Sequence, residues 1–301
     1  MPELPFLEIL AENLAAKISG RRIESIQIRQ PALLQTSAAS PESFAGEFLS
    51  LPTRAGKYLI LETESRRAIV IHLMRAGRIA VAEPGGRAPA VPGTGRPAGA
   101  GRAAAWPKNV SARIRLDDGS ELQLLEHGRE KRARLWLLED VADLPDLRAI
   151  GPDPSRGELT LERFRVALRA ESRRLKTMLT DQGAIAGIGN GLSDEVLYEA
   201  RLSPMKLTSA ITDAEAADLH AALLLVVSAQ VEKLRVTMAG ELPRKEPRDL
   251  YAVHDRAGSA CPRCGGRIAR ISYADRETFY CPGCQTGGKP LKDRRLSRLL
   301  K

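Results

Sequence analysis

Four cysteines within 24 residues, CPRCGGRIARISYADRETFYCPGC, constrain this chain more than any other feature. Their spacing is Cys261-x2-Cys264-x16-Cys281-x2-Cys284. Each CxxC turns the backbone so that two thiolates face one ion, and two such turns complete a tetrahedral Zn²⁺ shell. A redox pair would use one CxxC rather than two matched ones. The spacing therefore predicts one structural Zn²⁺ held by Cys261, Cys264, Cys281 and Cys284. A closed shell leaves no open coordination position, so the ion organises the fold and does no chemistry. The residues between the two turns read as a hairpin carrying Arg270 and Arg276. Those arginines are either solvated or aimed into a nucleic-acid groove. With every cysteine in this cluster no disulfide framework spreads through the chain, and a cytoplasmic location is expected.

The rest of the chain divides by pattern. Residues 1–142 open with a helix, since Phe6, Leu7, Leu10 and Leu14 fall at helical spacing behind Pro5. Strands follow at RRIESIQIRQ, KYLILETE and RAIVIHL, then a hairpin at VSARIRL and SELQLLEHG, then RARLWLLED. Within this half, 18 of the 25 residues from 83 to 107 are Gly, Pro or Ala. That composition cannot pack a core, so 83–108 reads as a mobile surface insertion with a basic tinge. A proline-containing linker, 143–153, leads to a helical region, 154–250. There TLERFRVALRAESRRLKTMLTD and DAEAADLHAALLLVVSAQVEKLRV carry apolar residues at three- and four-residue intervals. Residues 251–301 hold the cysteine module and a basic tail.

The net charge of +9 favours a polyanionic partner, nucleic acid above all. No membrane span is expected, because the most apolar run, AALLLVVSA, is far short of the roughly 20 residues a bilayer needs. Glu3 stands where a signal peptide would carry positive charge. In the helical region one helix ends near Asp181, the loop GAIAGIGN follows, and Asn190 is placed to cap the next helix from Gly191. Helix-start amides there, with Lys176 upstream, suit a phosphate; a tight packing joint between helices explains the glycines equally well.

Four motifs in order carry a resemblance to the formamidopyrimidine-DNA glycosylase and endonuclease VIII family. They are MPELP, RAGKYLILE around Lys57, DQGAIAGIGN with DEVLYEA, and the cysteine module with DRETFYC. The resemblance implies an α+β multidomain fold: an N-terminal helix plus β-sandwich, a helix-two-turn-helix DNA-binding domain, and a C-terminal four-cysteine zinc-finger hairpin. It also implies a bifunctional glycosylase and abasic-site lyase of base-excision repair, working as a monomer on damaged double-stranded DNA without an obligate protein partner. Met1 is then removed, and the Pro2 amine attacks C1′ of a damaged nucleotide. The chemistry is sound by itself, because an α-amino group titrates near ~8 and is partly neutral at pH 7, whereas an ordinary lysine titrates near ~10.4. Glu3 would move protons, Glu8 is a neighbouring candidate for support, and Lys57 would bind the flanking phosphate. Lys176, Asn190 and Arg276 are implied phosphate contacts around the extruded nucleotide.

Three departures bear on which base is removed, the second of them spread over two segments. Phe6 replaces an acid in the family's MPELPE. HLMRAG puts Arg75 in the register of a methionine that enters the gap left by the base, with Met74 one step earlier. LEHGREKRARLW lacks the companion aromatic wedge, leaving His127, Arg129 or another residue to fill the void. VTMAGELPRKEPRDLY also lacks the family's glycine–threonine-rich loop. The alternatives are therefore a lyase for oxidised pyrimidines, bulky lesions or abasic sites only, and a damage-binding protein without catalysis.

Overall fold

The computed structural model of the chain describes residues 1–36, 38–84, 106–127, 131–244, 247–273 and 276–291. These pack as two compact units. Unit 1 comprises Met1–Pro2, Leu7–Pro145 and Gly240–Arg244; unit 2 comprises Glu3–Phe6, Asp146–Ala239 and Lys245–Lys301. Most of the insertion read at 83–108 lies outside the described residues.

Unit 1 is built from the long helix α1 (Leu4–Ile18), whose first three residues belong to unit 2, and two sheets. One sheet has the order β1-β7-β8-β6, all antiparallel, from β1 (Ile23–Ile28), β6 (Gly77–Ala82), β7 (Val110–Leu116) and β8 (Glu121–Glu126). The other has the order β2-β9-β5-β4-β3, from β2 (Leu34–Thr36), β3 (Thr53–Ala55), β4 (Tyr58–Glu62), β5 (Ala68–His72) and β9 (Arg134–Leu138). Only the β2–β9 pair in it is parallel. The strands expected from alternation are present, but the central ones do not alternate. Leu59, Ile60 and Leu61 of β4 and Ile69, Val70 and Ile71 of β5 are all buried, so these strands are covered on both faces. Leu7, Leu10, Leu14 and Ile18 form the buried stripe of α1.

An ion pair sits inside unit 1. Arg54, on β3, is 1% exposed and its Nε donates to Glu8 Oε2 at 2.5 Å. Glu8, a candidate for supporting the reaction, is thereby committed to a buried guanidinium.

Unit 2 holds the remaining helices: α2 (Pro145–Arg148), whose first residue belongs to unit 1, α3 (Leu161–Arg169), α4 (Leu175–Leu179), α5 (Asn190–Glu199), α6 (Asp213–Met238) and α7 (Pro282–Gln285). The stretch TLERFRVALRAESRRLKTMLTD, whose apolar residues recur at helical intervals throughout, forms two helices. Between α3 and α4 the backbone pairs with a later segment instead of with itself. Leu175 N donates to Lys206 O at 2.9 Å and Thr208 N to Arg173 O at 2.8 Å. The Thr208 hydroxyl also takes the Arg173 amide at 3.1 Å and donates to Glu171 O at 2.6 Å. Periodicity cannot show such non-local partners.

Helix α6 starts with a capping box, in which Thr212 and Glu215 exchange side-chain and backbone hydrogen bonds. Over its 26 residues it is long and apolar enough, by length and composition, to cross a bilayer, which the shorter apolar run inside it is not. In unit 2 its Leu219, Leu223 and Val227 are buried. The cysteine module contributes the hairpin β10 (Ala269–Tyr273) and β11 (Arg276–Tyr280), paired Ala269↔Tyr280 through Tyr273↔Arg276. Its core joins Cys261, Cys281, Ile268 and Phe279 to Tyr198 of α5 and to Val253.

Replacing Glu8 by Gln should leave the buried Arg54 charge poorly compensated and cost about 2 kcal/mol, a figure below that of a fully buried pair because Glu8 keeps some solvent. Urea unfolding checks this, and Arg54→Met in the same background should recover part of the loss.

Candidate functional site

Glu3 is buried, and its carboxylate accepts three backbone amides from the start of α5. Gly189 N and Leu192 N donate to Oε2 at 3.0 and 2.9 Å, and Gly191 N donates to Oε1 at 2.9 Å. These are orphan amides of a helix start, which carry the positive end of its dipole and suit an anion. The anion here is the protein's own third residue. This corrects two expectations. The helix-start amides anticipated for a phosphate are filled by Glu3. Asn190 is the first helical residue, not the cap; the N-cap is Gly189, with no side-chain cap bond.

Two of the three glycines of GAIAGIGN lie against the N-terminal residues. A Cβ on Gly189 would overlap the Glu3 carboxylate, and Gly187, at φ 78°, lies against Leu4, whose amide donates to Gly187 O at 3.1 Å. Gly187 and Gly189 thus leave room for Leu4 and Glu3, whereas Gly183 faces Ala149 O and the Asp181 side chain.

Behind the carboxylate, two acids on α5 form a joint with the cysteine module. Asp194 accepts Lys176 Nζ at 2.5 Å, lies 2.9 Å from His254 Nδ1, and accepts Phe279 N at 3.2 Å. Glu195 accepts the amides of Ala252, Val253 and His254 at 2.8, 2.9 and 2.9 Å. Burial pushes the Glu195 carboxyl upward, against the three amides that draw it down. Sequence reading assigned neither acid a role. Two adjacent acids near the start of an otherwise apolar helix, GLSDEVLY, are the signal that was available, since such groups are buried only when paired.

Lys176 and Asn190 both donate to the carbonyl of Glu277, each at 2.9 Å, immediately after Arg276 in β11. Three residues expected at phosphates thus converge on the first two residues of one strand. Lys176 spends its charge largely on Asp194, while Asn190 Oδ1 is buried without a hydrogen-bond partner among the described residues.

In unit 1, Pro2 is buried. Lys57 is the second residue of the two-residue turn Gly56–Lys57 between β3 and β4. Gly56 has φ 54°, as the first central residue of a tight hairpin of this kind requires. Met74 and Arg75 lie on the β5–β6 turn, with Met74 in the left-handed region at φ 50°. Gly77 N closes that turn on Leu73 O at 2.8 Å, and a Cβ on Gly77 would strike the same carbonyl. His127 N donates to Ala76 O at 3.2 Å, so the His127 backbone adjoins the turn of Met74 and Arg75. Arg129 lies outside the described residues.

The four cysteine Sγ atoms lie within 4.8 Å of one another, with Cys264–Cys281 at 3.4 Å and Cys261–Cys284 at 3.9 Å. Thiolates about 2.3 Å from a tetrahedral ion would be roughly 3.8 Å apart, so the residues fit one ion. Burial opposes a charge on Cys261, but the Tyr198 hydroxyl at 3.4 Å and nearby backbone amides outweigh it and bring that thiol down to about 6. Burial and neighbouring thiols push Cys284 up to about 12. Four thiols so close cannot all ionise unless a cation joins them.

Residues 1–130 match the formamidopyrimidine-DNA glycosylase N-terminal domain, 150–239 the H2TH domain of the same enzymes, and 258–287 a zinc finger found in them and in IleRS. The chain is 30% identical over 294 residues to the formamidopyrimidine-DNA glycosylase of Desulforamulus reducens, covering 95% of this chain and 99% of that one. It is 41% identical over 161 residues to an uncharacterized formamidopyrimidine-DNA glycosylase-like protein of Mycobacterium tuberculosis, covering 54% of this chain and all of the other. Among solved structures it resembles the Lactococcus lactis formamidopyrimidine-DNA glycosylase non-covalently bound to DNA containing an abasic site. The TM-score is 0.75 at 27% identity, over 94% of this chain and 99% of that one.

A Gly189→Ala variant should force Glu3 off its amides and lose at least about 2 kcal/mol, the worth of one or two charge-assisted hydrogen bonds. Chemical denaturation would measure this; a change within about 0.5 kcal/mol, typical of an uninvolved surface site, would contradict the contact.

Proposed function

The chain belongs to the formamidopyrimidine-DNA glycosylase family, and as its function we propose excision of a damaged base from double-stranded DNA followed by cleavage at the abasic site. The observation that carries the reading is Glu3, fixed by three amides one residue after the proline that becomes the terminus when Met1 is removed.

In this reaction the neutral Pro2 amine adds to C1′, and the base leaves with the glycosidic electron pair. Opening of the sugar ring yields an iminium, with Glu3 moving the proton to the ring oxygen. The iminium acidifies the 2′ hydrogens. Loss of one expels the 3′ phosphate by β-elimination, and a following δ-elimination expels the 5′ phosphate. Lys57 supplies positive charge to the flanking phosphate from the tip of a short hairpin. Arg276 and Asn190 hold the backbone of the extruded nucleotide, and Lys176 supports them from behind through the Glu277 carbonyl. Met74, Arg75, His127 and Arg129 are the candidates for filling the void that the base leaves. Zn²⁺ on the four cysteines holds the β10–β11 hairpin and takes no part in the chemistry. The protein acts as a cytoplasmic monomer.

A second reading, the same lyase chemistry on a lesion other than 8-oxoguanine, is favoured by Phe6. It is 2% exposed where the family carries an acid, so that position offers an apolar ring in place of a carboxylate.

Borohydride should trap a covalent adduct between the wild-type protein and abasic DNA. Pro2→Gly should reduce trapping strongly, as should Glu3→Gln. Trapping that persists in Pro2→Gly while Lys57→Ala abolishes it would reassign the nucleophile, and an active preparation that keeps Met1 would do the same. Metal analysis should find one zinc per chain. Its removal should disorder the hairpin and weaken duplex binding; binding that survives verified loss of metal would exclude the hairpin from the DNA contact. A panel of duplexes with different lesions, scored for base release, separates the two readings.

A further inference from the structure

His254 has no part in the reaction outlined above, yet it is tied to the helix start that grips Glu3. Its Nδ1 lies 2.9 Å from Asp194 Oδ2, and its backbone amide donates to Glu195 Oε1 at 2.9 Å. Asp194, with no exposed side-chain surface, cannot turn away, because Lys176 and the Phe279 amide hold it as well. Tyr251 and Phe279 flank the imidazole edge-on, with ring centres 5.2 and 5.1 Å away. The ring is thus set in one orientation.

In that orientation it backs Gly191. A Cβ on Gly191 would stand 3.2 Å from His254 Cδ2 and 3.1 Å from the Tyr251 hydroxyl. Gly191 has no side chain of its own, so the imidazole and the Tyr251 ring fill the space beside its α-carbon, and the Gly191 N–H donates to Glu3 Oε1. We infer that His254, oriented by Asp194, is a positioning residue that keeps the first turn of α5 closed on the Glu3 carboxylate. The consequence for turnover rests on the proposed role of Glu3 in proton transfer.

The charged groups around the ring are Asp194 on α5, Glu3 at the chain start, the adjoining Asp255, and Lys176 across Asp194. Burial disfavours the imidazolium. The hydrogen bond and charge of Asp194, with help from Asp255 and Glu3, outweigh burial and raise the pKa above 6.5. The stabilisation from this pair is therefore complete below 6.5 and is lost as pH climbs through the higher folded value.

The test uses the full chain, with turnover on abasic duplex followed against pH and hydrogen exchange followed at Gly191 and Leu192. In wild type, kcat should fall as pH rises through the imidazole pKa while KM for the duplex holds. His254→Phe keeps a ring but loses the bond to Asp194. It should lower kcat about tenfold with KM unchanged, equivalent to a small loss of transition-state stabilisation, and should speed exchange of both amides. His254→Asn keeps a donor for Asp194 and cannot titrate, so it should restore most of kcat and both protections and remove the alkaline limb. Unchanged exchange in His254→Phe would overturn the inference, as would a wild-type alkaline limb surviving in His254→Asn. If His254→Phe does not fold, the limb in His254→Asn decides. An inactive wild type would sink the lyase reading, while faster exchange in His254→Phe would still uphold the positioning of Glu3.

Discussion

The carboxylate of Glu3 in the amide cradle of α5 is the contact on which the rest of unit 2 depends. Three charge-assisted hydrogen bonds of about 1.5–3 kcal/mol each, with the favourable end of a helix dipole, make it one of the strongest polar anchors such a chain can form. It dictates the residues opposite it. Gly189 cannot carry a side chain because Glu3 is there, and Gly187 cannot because Leu4 is there. It also takes three amides at the start of α5 out of competition for an external anion.

A second constraint runs from α5 into the cysteine module. Asp194 and Glu195 accept six groups between them from α4, from the 252–254 segment and from β11. Such a network is stable only when complete, since one missing partner leaves a buried carboxylate uncompensated. On the other side, Cys281 directly after β11 joins the four-cysteine cluster. The metal module and the Glu3 cradle are therefore two ends of one polar network through α5. His254 lies between them, bonded to Asp194 on one side and set against Gly191 on the other.

Much was legible from local pattern. The CxxC pairs specified the metal cluster because two-residue spacing is itself a geometric statement. The α1 stripe Leu7, Leu10, Leu14 and the hairpin from VSARIRL to SELQLLEHG followed from period and turn chemistry. What was misread has a common cause, namely partners distant in sequence. Asn190 looks like a helix cap in GIGNGLSD, and only the arrival of Glu3, 187 residues earlier, shows that the cap function is satisfied elsewhere. The helical periodicity running through ESRRLK is interrupted because Lys206 and Thr208 pair with its backbone. Lys176, expected at a phosphate, also has Asp194 against it, a partner that no local pattern shows.

The amino-acid sequence by itself determined the inventory: a metal module, a proline followed by an acid at positions 2 and 3, a glycine loop before a helix, and a net positive charge. Each rests on covalent spacing or residue chemistry, which survive without a fold. Tertiary structure alone decided how those parts are committed. It gave the helix-start amides to Glu3, enclosed Arg54 with Glu8, and brought Lys176, Asn190 and β11 to one carbonyl. Buried polar groups must find partners wherever the chain can supply them, and which partner comes within 3 Å is a property of packing that no local pattern encodes.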